Sequence, residues 1–391
     1  MNPLYEAMTT SVFERMSLAA ARHGAINLGQ GFPDFGWRSE MLDAAAAALR
    51  QGSNQYAPSR GLPVLREAVA AHYNRHQRLD LAADHVCVTS GATEAIAAAV
   101  LATIEPGDEV IVMTPAYDAY VPLVRGAGGV VREVALQPPG WRIELDALAA
   151  AVTGRTRAII LNNPHNPTGR LFDADELEAI AAIAREHDLI VIADEVWEHV
   201  LLDGQRFTPF AALDGMARRT LKCGSAGKIF SLTGWKIGWL VAAPELATLA
   251  ARAHQYLTFA SAPNLQAAVA FGLAEGDKWL KPMRSSFAAA RDRMIAGLEA
   301  AHFMVLPSAA SYFLCVDLAG SGIAADDESF AARAVAEAGV AVVPLSPFAE
   351  AEPPRHLVRL CFAKRDETVD AGVAAMARAR SLFVGSGAGF S

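Results

Sequence analysis

Cysteine is scarce in this chain. Its four cysteines, Cys87, Cys223, Cys315 and Cys361, stand far apart among 391 residues, with no Cys-x-x-Cys pair. That spacing builds neither a disulfide framework nor a zinc site, so four reduced, mostly buried thiols are expected, as in a cytoplasmic protein. Long apolar runs are missing too: the longest nearly unbroken one, Ala95–Ile104, is about half of what a membrane span needs. The N-terminal stretch MNPLYEAMTTSVFERM carries acids and no apolar h-region, which argues against a secretory signal. There is no basic excess: 34 Lys and Arg face 42 Asp and Glu, interspersed, for a net charge of −8. Neither a nucleic-acid face nor a membrane surface is expected. Internal repeats and low-complexity linkers are absent as well.

What remains is a chain with 52% hydrophobic and only 19% charged residues, too apolar to stay disordered. Its length predicts two or three cooperating domains. From about residue 85 to 245, β-branched runs alternate with alanine-rich helical stretches. Val86–Thr89, Glu109–Thr114, Ala158–Leu161, Leu189–Ala193, Thr220–Gly224 and Lys236–Val241 read as strands. Leu177, Ile180, Ala181 and Ala184 recur at helical spacing, with Asp173 and Glu176 forming a capping signature. This predicts an α/β fold: a large domain whose mostly parallel sheet is covered by helices on both faces. Beyond about residue 285 the order becomes helix, strands, helix, strands and helix, with strands at Tyr312–Leu318, Val340–Pro344 and Leu357–Phe362 and helices at Asp327–Ala338 and Asp366–Leu382. The predicted organisation is an N-terminal arm (1–40) packing on the small domain, a large domain (41–284) and a smaller α+β domain (285–391). The tail GSGAGFS is expected to fray.

Four segments carry chemistry. Ser90-Gly91-Ala92-Thr93-Glu94 joins a strand to a helix, where small residues let an anion approach unpaired backbone N–H groups. Asn162-Asn163-Pro164-His165-Asn166-Pro167-Thr168-Gly169 follows a strand and aims Asn166 inward. Ile192-Ala193-Asp194-Glu195-Val196-Trp197 places an acid directly after a buried strand; with no His or Cys at ligand spacing, a metal is not expected. Gly224-Ser225-Ala226-Gly227-Lys228 sets a lysine among small residues, a candidate Schiff-base former because desolvation lowers its pKa. Each alone fits a tight turn or a solvated lysine; the combination, in this order, does not.

Taken together, the chain resembles the class I/II aminotransferases, pyridoxal-phosphate enzymes of fold type I, and within them the kynurenine, methionine and aromatic amino-acid branch. The likeness runs from Ile26-Asn27-Leu28-Gly29-Gln30-Gly31-Phe32-Pro33-Asp34 to Arg359. The resemblance implies that Lys228 bonds pyridoxal 5′-phosphate and shuttles protons, while Asp194 pairs with the pyridine nitrogen. It implies that Asn166 bonds the ring's 3′-oxygen and Tyr117 stacks on the ring. The phosphate would be held by Gly91, Ala92, Thr93, Ser225 and Lys236, the last standing where many relatives have arginine. Tyr56 resembles the tyrosine that reaches the neighbouring subunit's phosphate, which implies an obligate homodimer. Arg359 matches the clamp on the substrate's α-carboxylate, a task suited to a guanidinium fork. Gly31 lies on the segment that closes over substrate, and Phe32, Phe35 and Trp37 beside it could line an apolar pocket or form a local core. Trp197 stands where relatives carry a tyrosine that donates to the cofactor, so its contact is open.

The implied activity is ping-pong transfer of an amino group from an L-amino acid, apolar or aromatic such as methionine, phenylalanine or kynurenine, to a 2-oxo acid. The same framework supports a cysteine-conjugate C–S β-lyase as the alternative. A non-catalytic cofactor-binding sensor domain is a third reading, weakened by the complete catalytic set.

Overall fold

The computed structural model describes residues 1–35 and 38–384. Trp37 and the GSGAGFS tail lie outside the described residues. The strands, in chain order, are β1 (Ile26–Asn27), β2 (Val86–Thr89), β3 (Glu109–Thr114), β4 (Val130–Ala135), β5 (Thr156–Asn162), β6 (Ile190–Asp194), β7 (Thr220–Ser225), β8 (Gly238–Val241), β9 (Met304–Val305), β10 (Phe313–Asp317), β11 (Val340–Ala341), β12 (Val343–Pro344) and β13 (Leu357–Cys361). Seven form one sheet in the order β2-β8-β7-β6-β5-β3-β4. Strands β7, β6, β5, β3 and β4 run parallel, and β8 is antiparallel to both its neighbours. Strands β2, β3, β7 and β8 are buried throughout and are mostly apolar or small, as a sheet covered on both faces requires, with Glu109 and Lys222 as buried charged exceptions. Strand β4 escapes the sequence pattern because it is the sheet's edge: only Val134 of its six residues is buried, and Arg132 and Glu133 interrupt it.

Helix Ala174–Glu186 shows the expected capping box between Asp173 and Glu176. Its Leu177, Ile180, Ala181 and Ala184 pack against Ile159, Leu161 and Val191 of the sheet. Strand registers bring Asn162 opposite Asp194, and Asp194 opposite Cys223. The carboxyl ends of β5, β6 and β7 therefore lie side by side, which is where a parallel sheet leaves its crevice.

A second sheet, β12-β13-β10-β9, is antiparallel and lies in the C-terminal part of the chain. Helices Leu280–Ala300 and Asp366–Ser381 pack on it through Phe287, Met294, Val369 and Met376. The run Val340–Pro344, expected as one strand, is divided. Its first half pairs with β1 from the N-terminal arm and its second half with β13. The chain passes between two sheets there, with Val342 fully buried at the crossing. The helix predicted to run to Ala338 is α-helical only over Asp327–Arg333, and Ala334–Ala338 form a π turn that ends on Gly339 at φ +78°. Helix Val12–His23 also lies against this part, with Ala20 packed between Val335 and Ala341.

Candidate active site

A cavity of about 300 Å³ opens at the ends of β5, β6 and β7. Gly31, Gly91, Ala92, Thr93, Tyr117, Asn166, Asp194, Trp197, Ser225, Lys228, Lys236 and Arg359 all line it, although the sequence scatters them over more than 300 positions. Two of the predicted residues stand apart. Trp37 is outside the described residues, and Tyr56 points away from its own chain's cavity at 87% exposure. Phe32 and Phe35 do not line it either. Phe32 is exposed beneath the Lys364 ammonium, and Phe35 alone packs on the core, against Phe287. The apolar walls come instead from Phe13, Ile96, Val196, Ile237 and Phe313.

Asp194 ends β6, is 5% exposed, and accepts from the Tyr120 phenol at 2.5 Å and from the Val196 N–H at 3.4 Å. Burial raises its pKa against those two donors. Behind it, the wholly buried Lys222 ammonium bridges Glu195 and Glu198, and Tyr73 and Gln77 donate to Glu198. This network holds the chain that carries Asp194 and Trp197 in place.

Lys228 lies on a single helical turn, Ala226–Ile229, that follows β7. Its Nζ reaches the Gly31 carbonyl and the Tyr312 hydroxyl, each at 3.2 Å, and rests 4.5 Å above the Trp197 ring. Burial, aided by the Arg359 charge, lowers its pKa to about 8, which puts the free amine within reach near neutrality. Trp197 meets Lys228 with its ring face and stands perpendicular to the Tyr312 ring, at 4.3 Å between centroids.

Arg359, on β13, is 1% exposed. One terminal nitrogen donates to Asn166 Oδ1 at 2.9 Å and the other to the Gly29 carbonyl at 2.7 Å, while Nε is unpartnered. The guanidinium lies over the rings of Phe313, at 3.9 Å, and Phe13, at 4.8 Å. Burial lowers its pKa to about 10, so it remains a cation. With Asn166 Oδ1 committed to Arg359, the amide nitrogen of Asn166 is the end left to donate. The Asn166 N–H in turn bonds Asn162 Oδ1, and Asn162 Nδ2 bonds the Asp194 carbonyl, which ties the loop after β5 to the end of β6.

At the other end of the cavity, helix Ala92–Thr103 begins without a side-chain cap. Its N-cap, Gly91, has φ +78°, and a Cβ there would stand 3.1 Å from Lys236 Nζ. The backbone conformation calls for glycine, and its missing side chain leaves room for the Lys236 ammonium to rest close by. Orphan N–H groups, the Thr93 and Ser225 hydroxyls and the Lys236 ammonium make this end a cradle for an anion.

Sequence reasoning did not find Tyr120, Tyr312 or Phe13. Tyr120 and Tyr312 sit in apolar runs and read as core, and Phe13 lies on a helix far from any motif. No local signal separates them from packing residues.

Residues 23–376 match the family model described as aminotransferase class I and II. The chain is 46% identical over 376 residues to the "Probable N-succinyldiaminopimelate aminotransferase" of Mycobacterium tuberculosis, covering 93% of this chain and 94% of that one. It is 38% identical to the methionine aminotransferase of Escherichia coli, covering 95% and 96%. The solved structure of the N-succinyldiaminopimelate aminotransferase from Mycobacterium tuberculosis superposes with a TM-score of 0.93, over 96% of this chain and 99% of that one, at 46% identity.

The family's cofactor is pyridoxal phosphate, and the residues present fit it. An uncapped helix N-terminus with a lysine packed on Gly91 suits the phosphate. A buried carboxylate with no cationic hydrogen-bond partner among the described residues suits a protonated ring nitrogen, and a desolvated amine suits the aldehyde.

Proposed function

The chain belongs to the class I and II aminotransferases, and on that footing we propose that it moves an amino group from an L-amino acid with an apolar or aromatic side chain to a 2-oxo acid. The observation that carries the substrate class is the cavity's charge pattern. Arg359 is one buried cation without a carboxylate partner among the described residues, and the nearby walls are Phe13, Val196, Trp197 and Phe313. One guanidinium serves one carboxylate, and among the described residues no second arginine lines the cavity to take a distal one.

In this proposal Ala92, Thr93, Ser225 and Lys236 would hold the phosphate, Tyr117 and Trp197 would hold the ring, and Asn166 and Asp194 would bond its oxygen and nitrogen. Pyridoxal phosphate supplies an aldehyde carbon that takes up the amino group and a ring that accepts negative charge. Arg359, with Asn166, orients the substrate carboxylate so that the α-proton faces Lys228 Nζ. Lys228 removes that proton as the free amine and, as the ammonium, would give it to the carbon that takes up the amino group. Asp194, held by the Tyr120 phenol, would pair with the ring nitrogen. Phe13, Gln30 and Gly31 close the mouth against water. The two half-reactions follow one another in the same site, giving ping-pong kinetics.

A homodimer belongs to the proposal. Tyr56 is 87% exposed, and its ring stands perpendicular to that of the exposed Phe259 at 5.4 Å. An exposed aromatic patch of this kind is what an interface buries. There Tyr56 reaches the phosphate of a second copy.

The 46% identity over most of the chain favours a second substrate reading, N-succinyldiaminopimelate as amino donor, after the relative's name. A panel of donors measured by kcat/KM separates the two: methionine, phenylalanine, kynurenine, N-succinyldiaminopimelate and aspartate, with pyruvate release from cysteine conjugates followed in parallel. Preference for the first three supports the apolar reading. Preference for N-succinyldiaminopimelate transfers the assignment to that substrate, and dominant pyruvate release points to β-elimination. Preference for aspartate removes the apolar reading altogether.

A further inference from the structure

Tyr312 immediately precedes β10 and is 1% exposed. Its hydroxyl donates to the Gly31 carbonyl at 2.6 Å. A phenol has a single proton, so only lone pairs are left to face Lys228 Nζ, 3.2 Å away. The same Nζ also reaches the Gly31 carbonyl at 3.2 Å. A free amine carries two N–H bonds and one lone pair. Two acceptors, Tyr312 Oη and Gly31 O, accommodate both hydrogens, and the Trp197 ring closes a further side at 4.5 Å. The lone pair is left to the open side, where Asp194, Asn166 and Arg359 converge.

We infer that Tyr312 is a positioning residue for the reaction: with the Gly31 carbonyl it turns the Lys228 amine so that its lone pair faces the substrate's α-carbon. The inference rests on the aminotransferase reading and deepens it. It differs from a packing role because it assigns work to one oxygen atom. The phenol remains protonated, since burial raises it well above its usual pKa. The charges that bear on Lys228 are Arg359 and Lys236, which favour the free amine, and Asp194, which opposes it; the neighbouring Cys361 thiol adds to the opposition only if ionised.

The test is Tyr312→Phe, which keeps the ring packed between Trp197 and Phe313 and removes only the oxygen. Two quantities are read. One is the rate at which the apoenzyme captures pyridoxal phosphate, followed by visible absorbance. The other is the α-deuterium isotope effect on a single half-reaction with an excess of amino acid. Capture is expected to slow about tenfold and the isotope effect to rise, because a misaimed amine makes proton transfer slower. Phe287→Leu, which disturbs the back of the same ring but leaves its hydroxyl, is expected to stay within about twofold on both readouts. Wild-type values in Tyr312→Phe, or an equal loss in Phe287→Leu, would overturn the orienting role. A Lys228→Ala protein that still transaminates would overturn the functional reading itself, whatever Tyr312 does.

Discussion

The Tyr120 phenol donates to Asp194 Oδ2 at 2.5 Å, and both side chains are buried. Seventy-four positions separate them in the chain. The contact joins the start of helix Tyr120–Gly126 to the end of β6, and it gives Asp194 a neutral donor where no cation among the described residues hydrogen-bonds it. Burial and Asp194 together raise the phenol well above its usual pKa, so it donates across the working pH range.

Tyr120→Phe removes that donor. A hydrogen bond to a charged group is worth about 1.5–3 kcal/mol, so kcat/KM is expected to fall roughly tenfold or more. The sign of the pH effect follows from the direction. Tyr120 holds the Asp194 pKa down, so its loss lets burial raise it further, and the acid limb of the activity profile moves to higher pH. A pH–rate profile that superposes on the wild type would refute this.

Lys228 carries a cost in the apoenzyme. Burial lowers its folded-state pKa to about 8, below the ordinary lysine value of 10.5, so the unfolded chain binds the proton more tightly. The penalty is complete below about 8 and fades as pH rises through the unfolded value. Apo Lys228→Met is therefore expected to unfold at higher denaturant near pH 7, by about 1–3 kcal/mol, with the advantage shrinking toward pH 10. Denaturation of both apo proteins at the two pH values checks it, and the same variant should lose the visible absorbance of the loaded enzyme.

Arg359→Lys keeps a positive charge but loses the fork. The Asn166 and Gly29 acceptors also lose a donor. The expected result is a rise in KM for every amino donor and a loss of about 10²–10³ in kcat/KM, with cofactor retention unchanged. Equilibrium dialysis of pyridoxal phosphate separates the two effects. Weakened cofactor retention of similar size would mean that Arg359 holds the loop after β5 more than it holds substrate.

Trp197 shows its ring face to Lys228 and stands perpendicular to the Tyr312 ring. That orientation makes it a wall. Trp197→Phe is expected to leave the pH titration of the visible band within about half a unit. A rise of one unit or more would show instead that the indole donates a hydrogen bond to the deprotonated form.

If Tyr56 serves a second copy, sites can be mended across subunits. Tyr56→Ala and Lys228→Ala are each expected to be nearly inactive alone. Mixed, unfolded and refolded together, they form heterodimers with one site that has both residues, so about a quarter of wild-type activity should return. No recovery, or a monomer by sedimentation, would remove the homodimer from the proposal.

Much of this was legible beforehand. Strands such as Val86–Thr89 and Glu109–Thr114 show themselves because a doubly covered sheet needs mostly apolar runs. The capping box of Asp173 and Glu176 shows itself because both partners lie within one turn. The edge strand Val130–Ala135 was hidden by its charged outer residues, and the division of Val340–Pro344 by a partner strand from the other end of the chain.

By itself the sequence determined the chemistry that one short segment can carry: the Gly91–Thr93 turn, the Asn162–Gly169 loop, the acid after Ile190–Ala193 and the lysine after β7. Each follows from local backbone rules and from the apolar strand preceding it. Tertiary structure alone decided what those groups touch. Tyr120 on Asp194, Tyr312 on Lys228, and Phe13 and Phe313 over Arg359 join positions tens to hundreds of residues apart. Aromatic residues in apolar runs look alike in sequence whether they fill a core or face a reacting amine. Only strand order and register set which of their polar atoms has a partner.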